Sequence, residues 1–132
     1  VLRASGGFVR ALTVDHTGIG QDIASGRISE HDAYQVPELL GLTRALGAGG
    51  RAEVEIGLEK SWAPGDRFII ASDGFHGVGK GLSNSAIRRA LTYELDTAAQ
   101  VKRLMAQSLL ADGRDNSTLV MVDIYDGGKL DG

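Results

Sequence analysis

The chain has 132 residues and a formal net charge of −3, with 14 Lys and Arg against 17 Asp and Glu. This length fits one domain with a modest core, and the mild acidity without a basic run argues against nucleic acid as a partner. Because there is no cysteine, no disulfide framework indicates secretion, and a cytoplasmic location is expected. No apolar run approaches the roughly 20 residues that span a bilayer, so no membrane partner is expected.

The first third of the chain predicts one strand followed by short helices. Phe8–Thr13 follows a glycine turn and is typical of a strand. Apolar residues at helical spacing then predict a helix over Gly18–Ser25, with Asp15 or Thr17 as its N-cap. A second short helix is expected over Glu30–Gln35.

An acidic turn follows two predicted strands in the middle of the chain. Ala52–Glu59 alternates apolar and polar residues, which predicts a half-buried strand. We expect it to pair, through a turn at residues 63–65, with the apolar strand Phe68–Ala71. Asp73 comes just after this second strand, and Gly74 lets the backbone turn sharply or approach a ligand. An Asp-Gly pair at a strand end is also a common turn signal without further function.

The last third predicts two helices that pack within residues 82–112. Ser83 or Asn84 is the expected N-cap of the first helix. Thr97 with Gln100 three residues later predicts a capping box at the start of the second helix.

A second carboxylate, Asp115, lies before another apolar segment. Leu119–Ile124 is largely apolar on both faces, which predicts a central strand. Because Asp73 follows one strand and Asp115 precedes another, the two strands can bring both carboxylates together. A second carboxylate makes a metal site a stronger alternative to two unrelated turns.

Four ordered segments resemble the metal-dependent serine/threonine protein phosphatases of type 2C (PPM-type). In chain order the matching segments are Leu12–His16, Gly41–Gly47, Pro64–Gly74 and Gly113–Asn116. The resemblance implies an α+β fold that is part of a two-sheet antiparallel β-sandwich flanked by helices. The Asp-Gly-x-Gly-Gly and Gly-Asp-Ser-Arg motifs of the family's first half have no counterpart here. The chain therefore resembles the carboxyl-terminal half of the catalytic domain, with the first half absent.

The resemblance also implies the site residues. Asp73 and Asp115 match two metal ligands of the family, and Gly74 and Asn116 support the turns that carry them. Two Mn²⁺ or Mg²⁺ ions are expected in the complete site. No catalytic residue is assigned in this half.

Five further residues have weaker interpretations. For Asp15, His16 and Arg44 we favour supporting, structural roles over catalytic ones. Many relatives have another Asp at the position of Gly77, which puts any role of that carboxylate here in doubt. His76 is able to coordinate a transition metal, but a position at the rim without a defined role is favoured.

The function implied is metal-dependent hydrolysis of phosphoserine and phosphothreonine in proteins, with a phosphoprotein as substrate. We expect one partial domain over residues 1–132, with a flap-like helical excursion over residues 14–50. Because half a sandwich exposes an apolar sheet face, a partner is expected, either the missing amino-terminal half or a second copy. Activity of the chain alone is expected to be negligible. The alternative is a non-catalytic phosphatase-like module with a binding or regulatory role.

Overall fold

The computed structural model describes residues 1–29, 32–35, 41–47, 54–57, 61–78, 80–93 and 96–127. These residues form an α+β fold of antiparallel strands and helices. The strands are β1 (Leu2–Ser5), β2 (Phe8–Ala11), β3 (Arg67–Ala71), β4 (His76–Gly77), β5 (Lys80–Gly81) and β6 (Leu119–Asp123). The helices are α1 (Gly18–Ala24), a 3-10 helix (Asp32–Gln35), α2 (Asn84–Ala90) and α3 (Thr97–Asp112). No helix in these ranges is long and apolar enough to cross a bilayer.

The chain divides into two compact units, which are described separately. The larger unit combines residues 1–12 with residues 59–132, and the smaller one consists of residues 13–58. The expected single partial domain and its flap-like excursion over residues 14–50 stay predictions.

The larger unit is built on a four-stranded antiparallel sheet in the order β2-β1-β3-β6. Strand β3 pairs with β1 on one side and with β6 on the other. The expected pairing of this strand with Ala52–Glu59 is therefore wrong, because both edges of β3 are already occupied. Residues 54–57 form no strand, and the other residues of that prediction lie outside the described ranges.

Among the strands of the described residues, β6 lies at the edge of the sheet, and there its predicted central position is wrong. Its apolar character on both faces has another cause. One face of the sheet packs on the helices, whereas the second face is exposed and also carries apolar side chains. On that second face, Ile70 pairs with Val120 and Phe68 pairs with Val122. Ile70, Val120 and Val122 are 49%, 51% and 44% exposed. We call these three residues together with Phe8, which is also exposed, the apolar sheet face.

The core of the larger unit lies between the other sheet face and helices α2 and α3. Its buried side chains come from β1 and β3, the turn after β3, the residue after β5 and both helices, namely Leu2, Ile69, Phe75, Leu82, Ile87, Ala90 and Leu104. Burial of each large apolar side chain contributes about 1.5–3 kcal/mol. This packing fixes β3, and with it the turn that carries Asp73.

Caps define the starts of both helices. Ser83 Oγ accepts a hydrogen bond from Ala86 N at 3.2 Å, which confirms Ser83 as the N-cap of α2. The predicted capping box of α3 is wrong, since Asp96 is the N-cap and its Oδ1 accepts from Ala99 N at 2.8 Å. Gln100 is instead buried, and its Nε2 donates to the Ala90 carbonyl oxygen at 3.1 Å.

The smaller unit contains α1 and the 3-10 helix. Thr17 Oγ1 accepts from Gly20 N at 2.9 Å, which confirms Thr17 as the N-cap of α1. Of the second helix predicted over Glu30–Gln35, residues 32–35 form the 3-10 helix, and residues 30 and 31 lie outside the described ranges.

Candidate metal centre

Two acidic turns meet at the ends of β3 and β6, and Ser72 joins them. Ser72 N donates to the Thr118 carbonyl oxygen at 3.1 Å. The Ser72 hydroxyl accepts from Thr118 N at 3.0 Å and donates to the Asn116 carbonyl oxygen at 3.2 Å. Asp73 follows Ser72 directly, and Asp115 precedes Asn116. The sheet register and these hydrogen bonds therefore place both aspartates at one end of the sheet.

Gly74 allows the two turns to approach closely. A Cβ added at this position would overlap the Asn116 carbonyl oxygen and lie 2.9 Å from the Asn116 carbonyl carbon. It would also lie 3.3 Å from the Cβ of Asp115. The turn that carries Asp115 thus occupies the space that a side chain at position 74 would need.

The carboxylates of Asp73 and Asp115 converge on one positive charge, the ammonium of Lys80. Lys80 Nζ lies 2.7 Å from Asp73 Oδ2 and 2.8 Å from Asp115 Oδ2. The lysine hydrogen bond holds the pKa of Asp115 below its usual value, and the Asn116 N–H, 2.8 Å from Asp115 Oδ1, acts in the same direction. The hydrogen bonds to Asp115 and Asp73 raise the pKa of Lys80. At neutral pH the protonated form of Lys80 and the ionised form of Asp115 are therefore favoured.

The short hairpin of β4 and β5 positions Lys80. Lys80 pairs with Gly77 across the hairpin, and a Cβ at Gly77 would lie 2.9 Å from the Asp73 carbonyl oxygen. Gly81 has a positive φ of 67°, which glycine adopts readily. After the hairpin, Leu82 N donates to the Phe75 carbonyl oxygen at 2.7 Å. Glycines thus let the hairpin fold back onto the Asp73 turn.

His76 has a structural contact, contrary to the expectation of a rim residue without a role. Its Nδ1 lies 2.7 Å from the Leu82 carbonyl oxygen. A carbonyl oxygen only accepts, so Nδ1 carries the proton and donates. This hydrogen bond ties β4 to the residue after β5 and stabilises the hairpin that carries Lys80.

An ion pair beside the two aspartates was missed by sequence reasoning. Arg114 Nε and Nη2 lie 2.5 Å and 3.1 Å from the two carboxylate oxygens of Asp112. The Arg114 guanidinium lowers the pKa of Asp112 against the opposing effect of burial, and the Gly81 N–H also lowers it. The end of α3 is therefore linked to β5, next to Lys80. Arg114 two residues after Asp112 was the available sequence signal, but spacing alone does not show a pairing.

The donor chemistry of the two aspartates fits a hard divalent cation, because carboxylate oxygens are the ligands that Mg²⁺ and Mn²⁺ prefer. Their convergence on a single charged nitrogen shows that both side chains can reach one cation. In the described part of the chain, no group of three or more His, Cys, Asp or Glu residues has the arrangement of a metal site. These residues therefore fit part of a metal site.

The other sequence-predicted site residues lie in the smaller unit. Asp15 and Arg44 are exposed, and His16 Nε2 lies 3.0 Å from Glu55 Oε2. Thr43 N donates to the His16 carbonyl oxygen at 2.8 Å. Two of the segments that carry the family resemblance, Leu12–His16 and Gly41–Gly47, are thus in direct contact.

Similar proteins were found among curated sequences and solved structures, whereas no family model matches. A putative protein phosphatase 2C-type of Streptococcus pyogenes is 27% identical over 116 residues, which are 88% of this chain and 46% of the relative. The serine/threonine protein phosphatase PstP of Mycobacterium tuberculosis is 30% identical over 120 residues, 91% of this chain and 22% of the relative. The chain thus spans at most about half the length of these two relatives.

The structural neighbours agree with the sequence relatives. The PPM Ser-Thr phosphatase MsPP from Mycobacterium smegmatis, solved in complex with cacodylate, has a TM-score of 0.78 at 34% identity. That match covers 93% of this chain and 51% of the solved one. The catalytic domain of PstP in complex with two manganese ions has a TM-score of 0.67 at 25% identity, covering 95% of this chain and 49% of its own. The relatives and structural neighbours are thus PPM-type (type 2C) Ser/Thr phosphatases, and this chain matches the carboxyl-terminal half of their catalytic domain.

Proposed function

We propose that this chain contributes the carboxyl-terminal half of a binuclear metal site that hydrolyses phosphoserine and phosphothreonine in proteins. One observation carries the proposal. Asp73 Oδ2 and Asp115 Oδ2 lie within 2.8 Å of the same cationic atom, so both carboxylates are held at one point of the structure. The PstP catalytic domain, which is similar to this chain, was solved with two manganese ions. We assign Mn²⁺ or Mg²⁺ as the cofactor.

In this proposal the chain's own residues hold and orient the metal ions. Asp73 and Asp115 provide carboxylate oxygens, while Gly74 and Asn116 keep the two turns in contact. Two bound divalent ions would lower the pKa of a bound water and neutralise charge on the phosphoryl oxygens.

The site provided by these residues is incomplete. Two carboxylates carry two negative charges, whereas two divalent ions carry four positive charges. Gly77 offers no side chain for coordination, and its pairing partner Lys80 adds a further positive charge. We therefore propose that the chain alone binds metal weakly and has negligible activity until residues from outside it complete the site.

The apolar sheet face supports the need for a partner. Ile70, Val120 and Val122 are each about half exposed, and the register of β3 and β6 places them side by side. Contiguous exposed apolar surface favours association. We propose that the first half of a catalytic domain, or a second copy of this chain, covers this face. The substrate of the completed site would be a phosphoprotein.

Asp15, His16 and Arg44 are proposed as supporting residues of the smaller unit. The contact between His16 and Glu55, 3.0 Å long, supports a structural role for the histidine.

A non-catalytic module is the second candidate function. The observation that favours it is the position of Lys80, whose ammonium already satisfies both aspartates without any metal. In this alternative the chain keeps the phosphatase-like fold as a binding or regulatory surface.

Hydrolysis of a generic phosphomonoester such as p-nitrophenyl phosphate in Mn²⁺ tests the proposal. The chain alone is expected to show no turnover above background, and addition of a fragment with the first half of a PPM catalytic domain is expected to produce activity. Asp73→Asn should abolish that activity. The matched control is Asp96→Asn, because Asn caps a helix about as well as Asp and position 96 is outside the site. No activity after complementation would favour the non-catalytic module, and activity insensitive to Asp73→Asn would indicate a contaminating phosphatase.

A further inference from the structure

Lys80 occupies the point between the two proposed metal ligands. Its Nζ lies 2.7 Å from Asp73 Oδ2 and 2.8 Å from Asp115 Oδ2. These are the short distances of charge-assisted hydrogen bonds. A divalent ion bound by the same oxygens at the usual 2.0–2.6 Å would have to lie in nearly the same place. The ammonium and the metal ion therefore cannot both occupy this position.

Hydrogen bonds hold the open end of the hairpin, whereas the lysine side chain is partly exposed. His76 Nδ1 donates to the Leu82 carbonyl oxygen, and Leu82 N donates to the Phe75 carbonyl oxygen. The Lys80 side chain is 34% exposed, and the Asp73 and Asp115 side chains are 65% and 48% exposed. Solvent therefore reaches the pair, and the flexible four-carbon stem of lysine allows the ammonium to move away.

We propose that Lys80 is a built-in competing cation, which holds Asp73 and Asp115 together in the absence of metal and must be displaced when a divalent ion binds. The inference rests on the proposed function, because it requires these two aspartates to be metal ligands. Lys80 thereby lowers the affinity of the site for divalent ions, because an ion binds only when it displaces the ammonium. The metal-free chain keeps a compact site, and metal binding has to overcome two ion pairs.

Two consequences follow for a variant that lacks the charge. Each exposed ion pair contributes about 1.4- to fivefold to an equilibrium, so removal of both pairs should tighten metal binding by about two- to twenty-fivefold. Without metal, the same variant leaves two carboxylates facing each other with no cation between them. Its resistance to urea should therefore decrease in EDTA and recover when Mn²⁺ is added.

Calorimetric titration of Mn²⁺ into four chains tests the competition. Lys80→Met removes the charge and keeps the length of the stem, and it should bind Mn²⁺ about two- to twenty-fivefold more tightly than the original chain. Lys80→Arg keeps the charge and should bind as weakly as the original chain. Lys102→Met, at an exposed lysine of α3, is the matched control and should leave binding unchanged.

Urea unfolding in EDTA provides the second measurement. Lys80→Met should unfold at lower urea than Lys102→Met, and Mn²⁺ should restore its midpoint. Equal Mn²⁺ affinities of Lys80→Met and the original chain, both abolished by Asp115→Asn, would overturn the competition and leave the metal site intact. Absence of any binding that depends on Asp115, in either chain, would instead refute the metal site itself and the competition with it.

Discussion

Replacement of Gly74 by alanine is the most direct perturbation of the contact between the two acidic turns. The new methyl group would overlap the Asn116 carbonyl oxygen and lie 2.9 Å from the Asn116 carbonyl carbon, where ordinary contacts of a Cβ begin at 3.4 Å. Both nearest atoms belong to the backbone, so no side-chain rotation relieves the overlap. The Asp73 turn and the Asp115 turn would have to separate.

The expected cost follows from three contributions. Overpacking of a filled site typically costs about 1–3 kcal/mol. Separation of the turns would also weaken the 3.2 Å hydrogen bond from Ser72 to Asn116, which contributes about 0.5–1.5 kcal/mol. Replacement of glycine by alanine in turn stabilises the protein by about 0.4–1 kcal/mol, because it lowers the conformational entropy of the unfolded chain. We therefore expect Gly74→Ala to lower the free energy of unfolding by about 0.5–4 kcal/mol, with a central value of about 2 kcal/mol.

Equilibrium urea unfolding measures this change, and Gly127→Ala is its matched control. A Cβ at Gly127 would meet nothing within 4 Å, and its φ is not positive. The control should be as stable as the original chain or slightly more stable. Gly74→Ala should also bind Mn²⁺ more weakly, because the two carboxylates would be moved apart.

Equal stabilities of Gly74→Ala and Gly127→Ala would refute the close approach of the two turns. A destabilised Gly74→Ala with unchanged Mn²⁺ affinity would refute the dependence of the metal site on that approach.

Three further predictions concern the frame of the larger unit. Asp66 is buried against Arg3 at 2.6 Å, and its pKa is held below 3.8 by the Ser5 hydroxyl, the Ala63 N–H and Arg3. Because the folded-state pKa is lowered, this stabilisation is present above pH 3.8 and is lost as the pH falls through the folded value. Asp66→Asn should therefore be less stable than the original chain at pH 7, and it should lose less stability on acidification. Urea unfolding of both chains at pH 3, 5 and 7 measures this difference. Parallel pH profiles of the two chains would contradict it. Phe75→Ala, at a fully buried side chain, should lower the free energy of unfolding by about 3–5 kcal/mol. Phe8→Ala, at a side chain that is 71% exposed, should change it by about 0.5 kcal/mol or less. Similar changes in the two variants would contradict the assigned core. Ser83→Ala should lower the free energy of unfolding by about 1 kcal/mol, because it removes the N-cap of α2. An unchanged stability in urea unfolding would contradict the assignment of Ser83 as the cap.

The sequence was most informative where local chemistry determines the structure. Gly74 behind Asp73 predicted a tight acidic turn, and the apolar run before it predicted a strand. Ser83 and Thr17 were recognisable as helix caps because a short hydroxyl side chain satisfies free N–H groups at a helix start. Each of these predictions depends only on residues that are neighbours along the chain.

Predictions failed where the answer depends on residues far apart in the chain. Strand β6 is apolar on both faces, and no local pattern distinguishes a central strand from an edge strand with an exposed apolar face. Gln100 has the spacing of a capping box, yet it is buried and donates to the Ala90 carbonyl oxygen. Lys80 was missed because it lies in a two-residue strand, which is too short to show any periodicity. Its contact with Asp115 depends on how the hairpin folds back onto the site.

Binding of Mn²⁺, followed by the loss of the free-ion electron paramagnetic resonance signal, tests the central claim most directly. The chain should bind Mn²⁺ weakly, Asp73→Asn and Asp115→Asn should each remove the binding, and Asp96→Asn should leave it unchanged. Binding that survives either substitution at position 73 or 115 would contradict the assignment of these two aspartates as the metal ligands of this chain.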